Sequence, residues 1–88
     1  DIWALGVLVY YMLSLGEFPF NGITKCVVNN QILNDEPNMS RFKEGSAVTR
    51  EAKHFILKCL TKSVADRPSA QELLENDEWL KSNFESVY

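Results

Sequence analysis

The sequence is poor in almost everything from which active sites are built. It has one histidine, His54, and two cysteines, Cys26 and Cys59. Two thiols without CxxC spacing cannot frame a secreted disulfide scaffold, so both are expected to be reduced, small buried hydrophobes in an intracellular, cytoplasmic protein. No run of Lys and Arg is longer than a pair, and nine cations against twelve acids leave a net charge of −3. Nucleic acid, which is gripped through clustered positive charge, is therefore not an expected partner. Also absent are G-x-G-x-x-G, a Walker loop, H-E-x-x-H and G-x-S-x-G, so neither a catalytic residue nor a metal site is expected in these 88 residues. The four glycines, Gly6, Gly16, Gly22 and Gly45, are too scattered to cradle a phosphate and suit packing, capping and turn positions. His54 lies between Lys53 and Phe55 on a polar helix face and is expected at the surface. Asp35-Glu36 and Asp77-Glu78 are expected to be solvated or capping acids rather than general acid and base.

What the chain does have is apolar content: 45% of its residues are hydrophobic and 24% charged, an ordinary globular balance. A single domain of this length buries roughly 60 to 65% of the surface its unfolded form exposes. Against that modest capacity stands an opening run, "DIWALGVLVYYMLSLGEFPF", that is almost wholly apolar from Ile2 to Leu15. Fourteen residues are too few for a bilayer, which takes about 17 to 25, and an acid at the head is unlike a signal peptide, so no membrane is expected. A helix apolar on every side and too short to span a membrane is usually the central helix of a larger core.

The helices are legible from spacing. Ile2 to about Leu15 exceeds an ordinary strand, with Asp1 at its N-terminus and Gly16 as a stop, and Phe18-Pro19-Phe20 then forces an extended connection. From about Ile23 to Leu33, the i,i+4 pairs Ile23/Val27 and Val28/Ile32 predict a second helix. "NDEPNMSRFKEGS" reads as a long loop. Thr49 to Leu60 is the clearest helix, with Ala52, Phe55, Ile56, Cys59 and Leu60 on one face and Thr49 as N-cap. Ser69 and Glu72 form the S-x-x-E capping box of a short helix, and a last turn lies around Trp79-Leu80. No alternating pattern predicts a strand.

Two charges stand out. Asp1 heads a helix that needs burial, and Arg67 sits in "VADRPSA" between two apolar helices, fixed by Pro68 and the cap at Ser69. A buried arginine needs a carboxylate, because an uncompensated charge costs several kcal/mol; on spacing alone, an exposed loop position is an equal alternative.

These residues, in this order, resemble the C-terminal third of a eukaryotic protein kinase domain. "DIWALGVLVYYML" is similar to the family's D-x-W-x-x-G-V, and "GEFPF" to the following G-x-x-P-F. "VTREAKHFILKCL" resembles V-S-x-E-A-K-x-F-I-x-x-L-L, and "DRPSAQELLENDEWL" resembles R-x-(T/S)-A-x-x-x-L-x-x-x-W-L. The resemblance implies an all-α fold without a sheet: the C-terminal helical subdomain of the kinase-like fold, a central buried helix plus three to four shorter ones. Residues 1–88 would be an incomplete portion, with the N-lobe, catalytic loop and activation segment upstream of Asp1. It further implies that the acid at Asp1 accepts backbone N–H groups of the catalytic loop, and that Arg67 pairs with the glutamate of the A-P-E motif. Trp3 and Gly6 would pack near the activation segment, and Leu8 and Met12 would form the foot of the catalytic spine. The Ser/Thr type is implied by D-x-W-A-L-G-V and D-E-W-L, which resemble calcium/calmodulin-dependent and related kinases.

The intact domain would use ATP and Mg²⁺ to phosphorylate a protein substrate; this portion is expected to bind neither well and not to catalyse. Tyr11, Phe18, Pro19 and Phe20 would contact a substrate or partner, and residues 18–33 would offer a docking surface. Tyr11 stands where arginine-directed members often carry a glutamate, so a simple preference for basic substrates does not carry over. Ser63-Val64 and Asp77-Glu78 replace the family's usual D-P and H-P. A pseudokinase-type binding module and an unrelated, independently folding helical adaptor are the alternatives.

Overall fold

A computed structural model of the chain describes residues 1–43 and 46–85, so the turn expected at Gly45 lies outside the described residues. Five helices follow in order, α1 (Ile2–Leu13), α2 (Lys25–Asn34), α3 (Arg50–Cys59), α4 (Ala70–Asn76) and α5 (Glu78–Glu85). Among the described residues there is no strand, in keeping with the all-α expectation.

Each helix start has a named cap. The Asp1 carboxylate accepts the Ala4 N–H at 3.1 Å, Thr24 and Thr49 accept the Val27 and Ala52 N–H groups, and Ser69 with Glu72 completes the reciprocal capping box. Thr24 corrects the expected start of α2: once its hydroxyl captures Val27, Ile23 falls outside the helix and is fully exposed, so the Ile23/Val27 ladder does not form. The C-terminus of α1 also departs from expectation. Gly16 N–H donates to the Tyr11 carbonyl and Leu15 N–H to that of Met12, the Schellman pattern, but the left-handed residue is Leu15 at φ 62°. Helix α1 therefore stops at Leu13, two residues before the expected end, and Gly16 follows at φ 103°. The last element is a full helix rather than one turn, because Asp77 caps it.

The core lies between α1 and α3 and is closed by α4, α5 and one loop residue. Val9 and Tyr10 of α1 meet Phe55, Ile56 and Cys59 of α3, with Leu60 and Leu73 completing the cluster. Phe42, in the long loop, reaches in and sets its ring edge-on to Tyr10 at 5.0 Å. Gly6 makes the α1–α3 approach possible: a Cβ there would lie 2.6 Å from the Cys59 Cβ. Cys59 is buried as expected, whereas Cys26 is exposed, because α2 buries none of its residues. His54 and the Asp35-Glu36 pair are exposed.

Helix α1 is central in position yet covered on one side only. Gly6, Val9 and Tyr10 are buried, while Leu5, Leu8, Tyr11 and Met12 face outward, with Leu8 53% and Met12 57% exposed. The other four helices are too few and too short to wrap a helix that is apolar all round.

Candidate functional site

At the head of α1, Asp1, Trp3, Ile32, Leu33, Lys62 and Arg67 line an open cavity of about 330 Å³. Arg67 arrives there because the chain leaves α3 in a tight turn, with its own N–H and that of Asp66 both donating to the Ser63 carbonyl. Its side chain folds back on that turn: Nε donates to the Thr61 carbonyl at 2.8 Å and Nη2 to the Lys62 carbonyl at 3.4 Å. The guanidinium lies over the Trp3 ring, 5.1 Å from its centre, and Trp3 stacks on Phe20 at 6.0 Å with an interplanar angle of 4°. Lys62 completes the circuit, with Nζ 4.9 Å from the Phe20 centroid and donating to the Ile32 carbonyl in α2. Arg67 is thus half-buried, neither the exposed loop residue nor a fully enclosed one. Among the described residues no carboxylate lies within ion-pair distance of it. A guanidinium has five N–H donors, so the two carbonyls leave it able to bind a carboxylate as well.

The uncovered side of α1 forms a second surface. Ala4, Val7, Leu8, Tyr11 and Phe18 line a shallow apolar cavity of about 280 Å³, whose end is a Tyr11–Phe18 ring pair at 4.9 Å. Pro19 and Phe20 are buried and, with Trp3, line a separate cavity against Val28 and Ile32 of α2. The sequence-predicted residues therefore fall into three places. Asp1, Trp3 and Arg67 share the charged end, with Phe20 below; Leu8, Met12, Tyr11 and Phe18 share the apolar face; Gly6 points away from both, into α3.

Three polar residues hold this framework: Asp77, expected as a solvated or capping acid, and Arg41 and Lys62, which spacing did not single out. Asp77 is 1% exposed: one carboxylate oxygen accepts from Lys58 Nζ at 2.7 Å and the other from the Leu80 N–H at 3.1 Å. Arg41 donates to the Tyr10 hydroxyl at 3.3 Å and the Phe18 carbonyl at 3.2 Å, and faces Glu17 at 3.8 Å, tying the long loop to the Phe18 turn. Lys62 is the third. The Asp77-Glu78 pair did signal a helix start, but nothing local could show that one of the two acids is enclosed. Burial, with the Asp77 charge adding to it and Lys58 opposing, pushes the Cys59 thiol up to about 11.

Helix α1 is thus capped by Asp1, packed on one side against α3 with α4 and α5, and has the half-buried Arg67 at its head. The protein kinase domain profile matches residues 1–80. The chain is 42% identical over 82 residues to a calcium and calcium/calmodulin-dependent serine/threonine-protein kinase of Pisum sativum, covering 92% of this chain and 15% of that protein. It is 39% identical over 84 residues to myosin light chain kinase A of Dictyostelium discoideum, covering 94% of this chain and 27% of that protein. With sperm motility kinase Z of Mus musculus it shares 33% over 87 residues, covering 99% of this chain and 16% of that protein. The chain belongs to the protein kinase domain family, and it spans about a sixth to a quarter of the length of these relatives.

The family's ATP and Mg²⁺ do not fit the residues present. The sequence has no glycine-rich phosphate loop, and among the described residues no three His, Cys, Asp or Glu are grouped to hold a metal ion. No phosphoryl-transfer step is therefore assigned to these side chains. Among the described residues no helix is long and apolar enough to cross a membrane.

Proposed function

We propose that this chain is the C-terminal helical portion of the catalytic domain of a protein serine/threonine kinase, where it scaffolds the catalytic loop and activation segment. The observation that carries the proposal is Arg67: a half-buried guanidinium, fixed by two carbonyls and the Trp3 face, that meets no carboxylate among the described residues. An acid from the activation segment, ordered on this cavity, would receive its remaining donors. The apolar face of Leu8, Tyr11 and Met12 would then be covered by the rest of the lobe, with Leu8 and Met12 beneath the nucleotide site. ATP and Mg²⁺ would be held by residues outside this chain, and the phosphoryl acceptor would be a hydroxyl of a protein substrate.

Residues 18–33 are proposed as the docking surface, since α2 buries none of its side chains and Val27 and Leu33 are exposed. The Tyr11–Phe18 pair brings no carboxylate to its cavity, and Glu17, the nearest acid in sequence, faces Arg41. This supports an apolar rather than a cationic substrate contact there. The test is Arg67→Ala in the full-length protein, read by transfer of phosphate from ATP to a peptide. Loss of a charged hydrogen-bonded pair worth about 1.5 to 3 kcal/mol should lower kcat/KM by about 10- to 100-fold. Unchanged melting with unchanged transfer would overturn the proposal. A wild-type protein that folds, binds a partner on residues 18–33 and transfers nothing would favour the binding-module alternative.

A further inference from the structure

Lys62 stands between the two surfaces just described, and neither the motifs nor the relatives' names give it a role. Its ammonium does two things at once: it donates to the Ile32 carbonyl, in the last turn of α2, and it sits 4.9 Å from the centre of the Phe20 ring. That ring is stacked on Trp3, and the other cation over Trp3 is Arg67. Arg67 in turn donates to the Lys62 main-chain carbonyl at 3.4 Å and to that of Thr61 at 2.8 Å. The contacts close a ring: the Lys62 side chain, Phe20, Trp3, the Arg67 guanidinium, and back to the Lys62 backbone. Phe20 and Trp3 share an apolar cavity with Val28 and Ile32 of α2, and Lys62 is the member of that ring that hydrogen-bonds to the helix.

We propose that Lys62 is a positioning residue that couples the C-terminal turn of α2 to the Arg67 guanidinium. This rests on the kinase reading only for its consequence, namely that a partner on α2 would bias the arginine on which the activation segment orders. The coupling itself rests on contacts within this chain. Helix α2 has no fully buried residue, and its last turn is held by half-buried Gln31, which accepts the Gly22 N–H at 3.0 Å, by half-buried Ile32, and by the Lys62 bond. Of these two hydrogen bonds from this turn to the rest of the chain, the carbonyl-to-ammonium bond is the charge-assisted one and so the stronger. Two cations flank a stacked aromatic pair, and a shift of either ring displaces a cation from its π face.

The test uses the full-length protein and reads hydrogen exchange at the amides of residues 31–36, independently of activity. Lys62→Met keeps the apolar stem against Phe20 and removes the ammonium, and should raise exchange there by about 3- to 10-fold. Lys62→Arg, which restores a cation and a donor, should return it to the wild-type rate. Arg67→Lys, a milder change than Arg67→Ala, should raise exchange at the same amides although it touches none of them. The double variant should exceed the larger single effect by little, since both act through one ring of contacts. The proposal is overturned if Arg67→Lys leaves residues 31–36 unchanged, or if Lys62→Arg exchanges as fast as Lys62→Met. Failure of the kinase reading shows elsewhere, as unchanged phosphoryl transfer in Arg67→Ala whatever the exchange at α2.

Discussion

Replacing Asp77 tests whether the α3–α5 corner is held by this enclosed charge. Asp77→Ala removes two interactions with separable costs. The cap on Leu80 N–H, at 3.1 Å, is worth about 1 kcal/mol. The ion-paired hydrogen bond from Lys58, at 2.7 Å, is worth about 1.5 to 3 kcal/mol. Lys58 keeps 43% of its side chain exposed, so on losing its partner it swings into water rather than remaining an enclosed bare charge. The total should then fall near 2 to 4 kcal/mol, below what a fully buried pair would cost. Asp77→Asn keeps an acceptor for the cap and should cost about half as much. In a kinase-sized domain, where 1 kcal/mol moves Tm by roughly 2 to 4 °C, Asp77→Ala should lower Tm by about 4 to 16 °C. Thermal unfolding of the full-length protein, with urea titration as a second measure, reads both variants. In the double variant with Lys58→Met, the Asp77 effect should shrink towards the cap alone. A loss below about 0.5 kcal/mol for Asp77→Ala, or an undiminished loss in the Lys58→Met background, would refute this account.

Gly6→Ala should destabilise by about 1 to 3 kcal/mol despite its better helix propensity, because the new methyl meets the Cys59 Cβ at 2.6 Å; a stabilised variant would contradict the close approach. A maleimide should label Cys26 in the native protein at pH 8 and leave Cys59 untouched until unfolding, and equal rates at the two would be a failure. Cys59 binds its proton more tightly folded, at about 11, than unfolded, near the ordinary 9.0. Its contribution of about 2 to 3 kcal/mol should be intact below pH 9 and lost between about pH 9 and 11; a Cys59→Ala variant should lack this extra alkaline slope in ΔG. The 88-residue chain alone should self-associate through Leu8 and Met12, and Leu8→Glu with Met12→Glu should reduce this in sedimentation; a monodisperse wild-type chain would speak against an exposed sticky face.

Helix existence and most caps were legible because they depend on neighbours in sequence. Thr49, Ser69 and Glu72 act on amides three residues away, within reach of a pattern. The α1 run was legible as an interior helix from composition, and its exposed half is what remains when α3, α4, α5 and Phe42 cover one side. What spacing missed are long-range partnerships. Phe42 sits in a stretch of turn residues, yet its burial is decided by Tyr10, more than thirty positions earlier. Asp77 resembles any capping acid until Lys58, from another helix, is placed beside it. Ile23 shows the reverse failure, where a helical period lost to one hydroxyl, Thr24, that capped the helix after it. Arg67 stood out in the sequence as a charge between two apolar helices, but its setting, two carbonyls and an indole, follows from the turn at Ser63 and not from its spacing.

The missing side chain at Gly6 has a mechanical meaning as well as a steric one. With no Cβ between them, α1 and α3 meet where tightly fitted atoms leave little room for one to roll or slide on the other. Asp1 is rooted at the start of α1, and Arg67 hangs from Thr61, just past the end of α3. The two charges are therefore mounted on a single stiff bracket. Whatever binds across them must match a spacing the protein has already chosen, rather than gathering two independent groups.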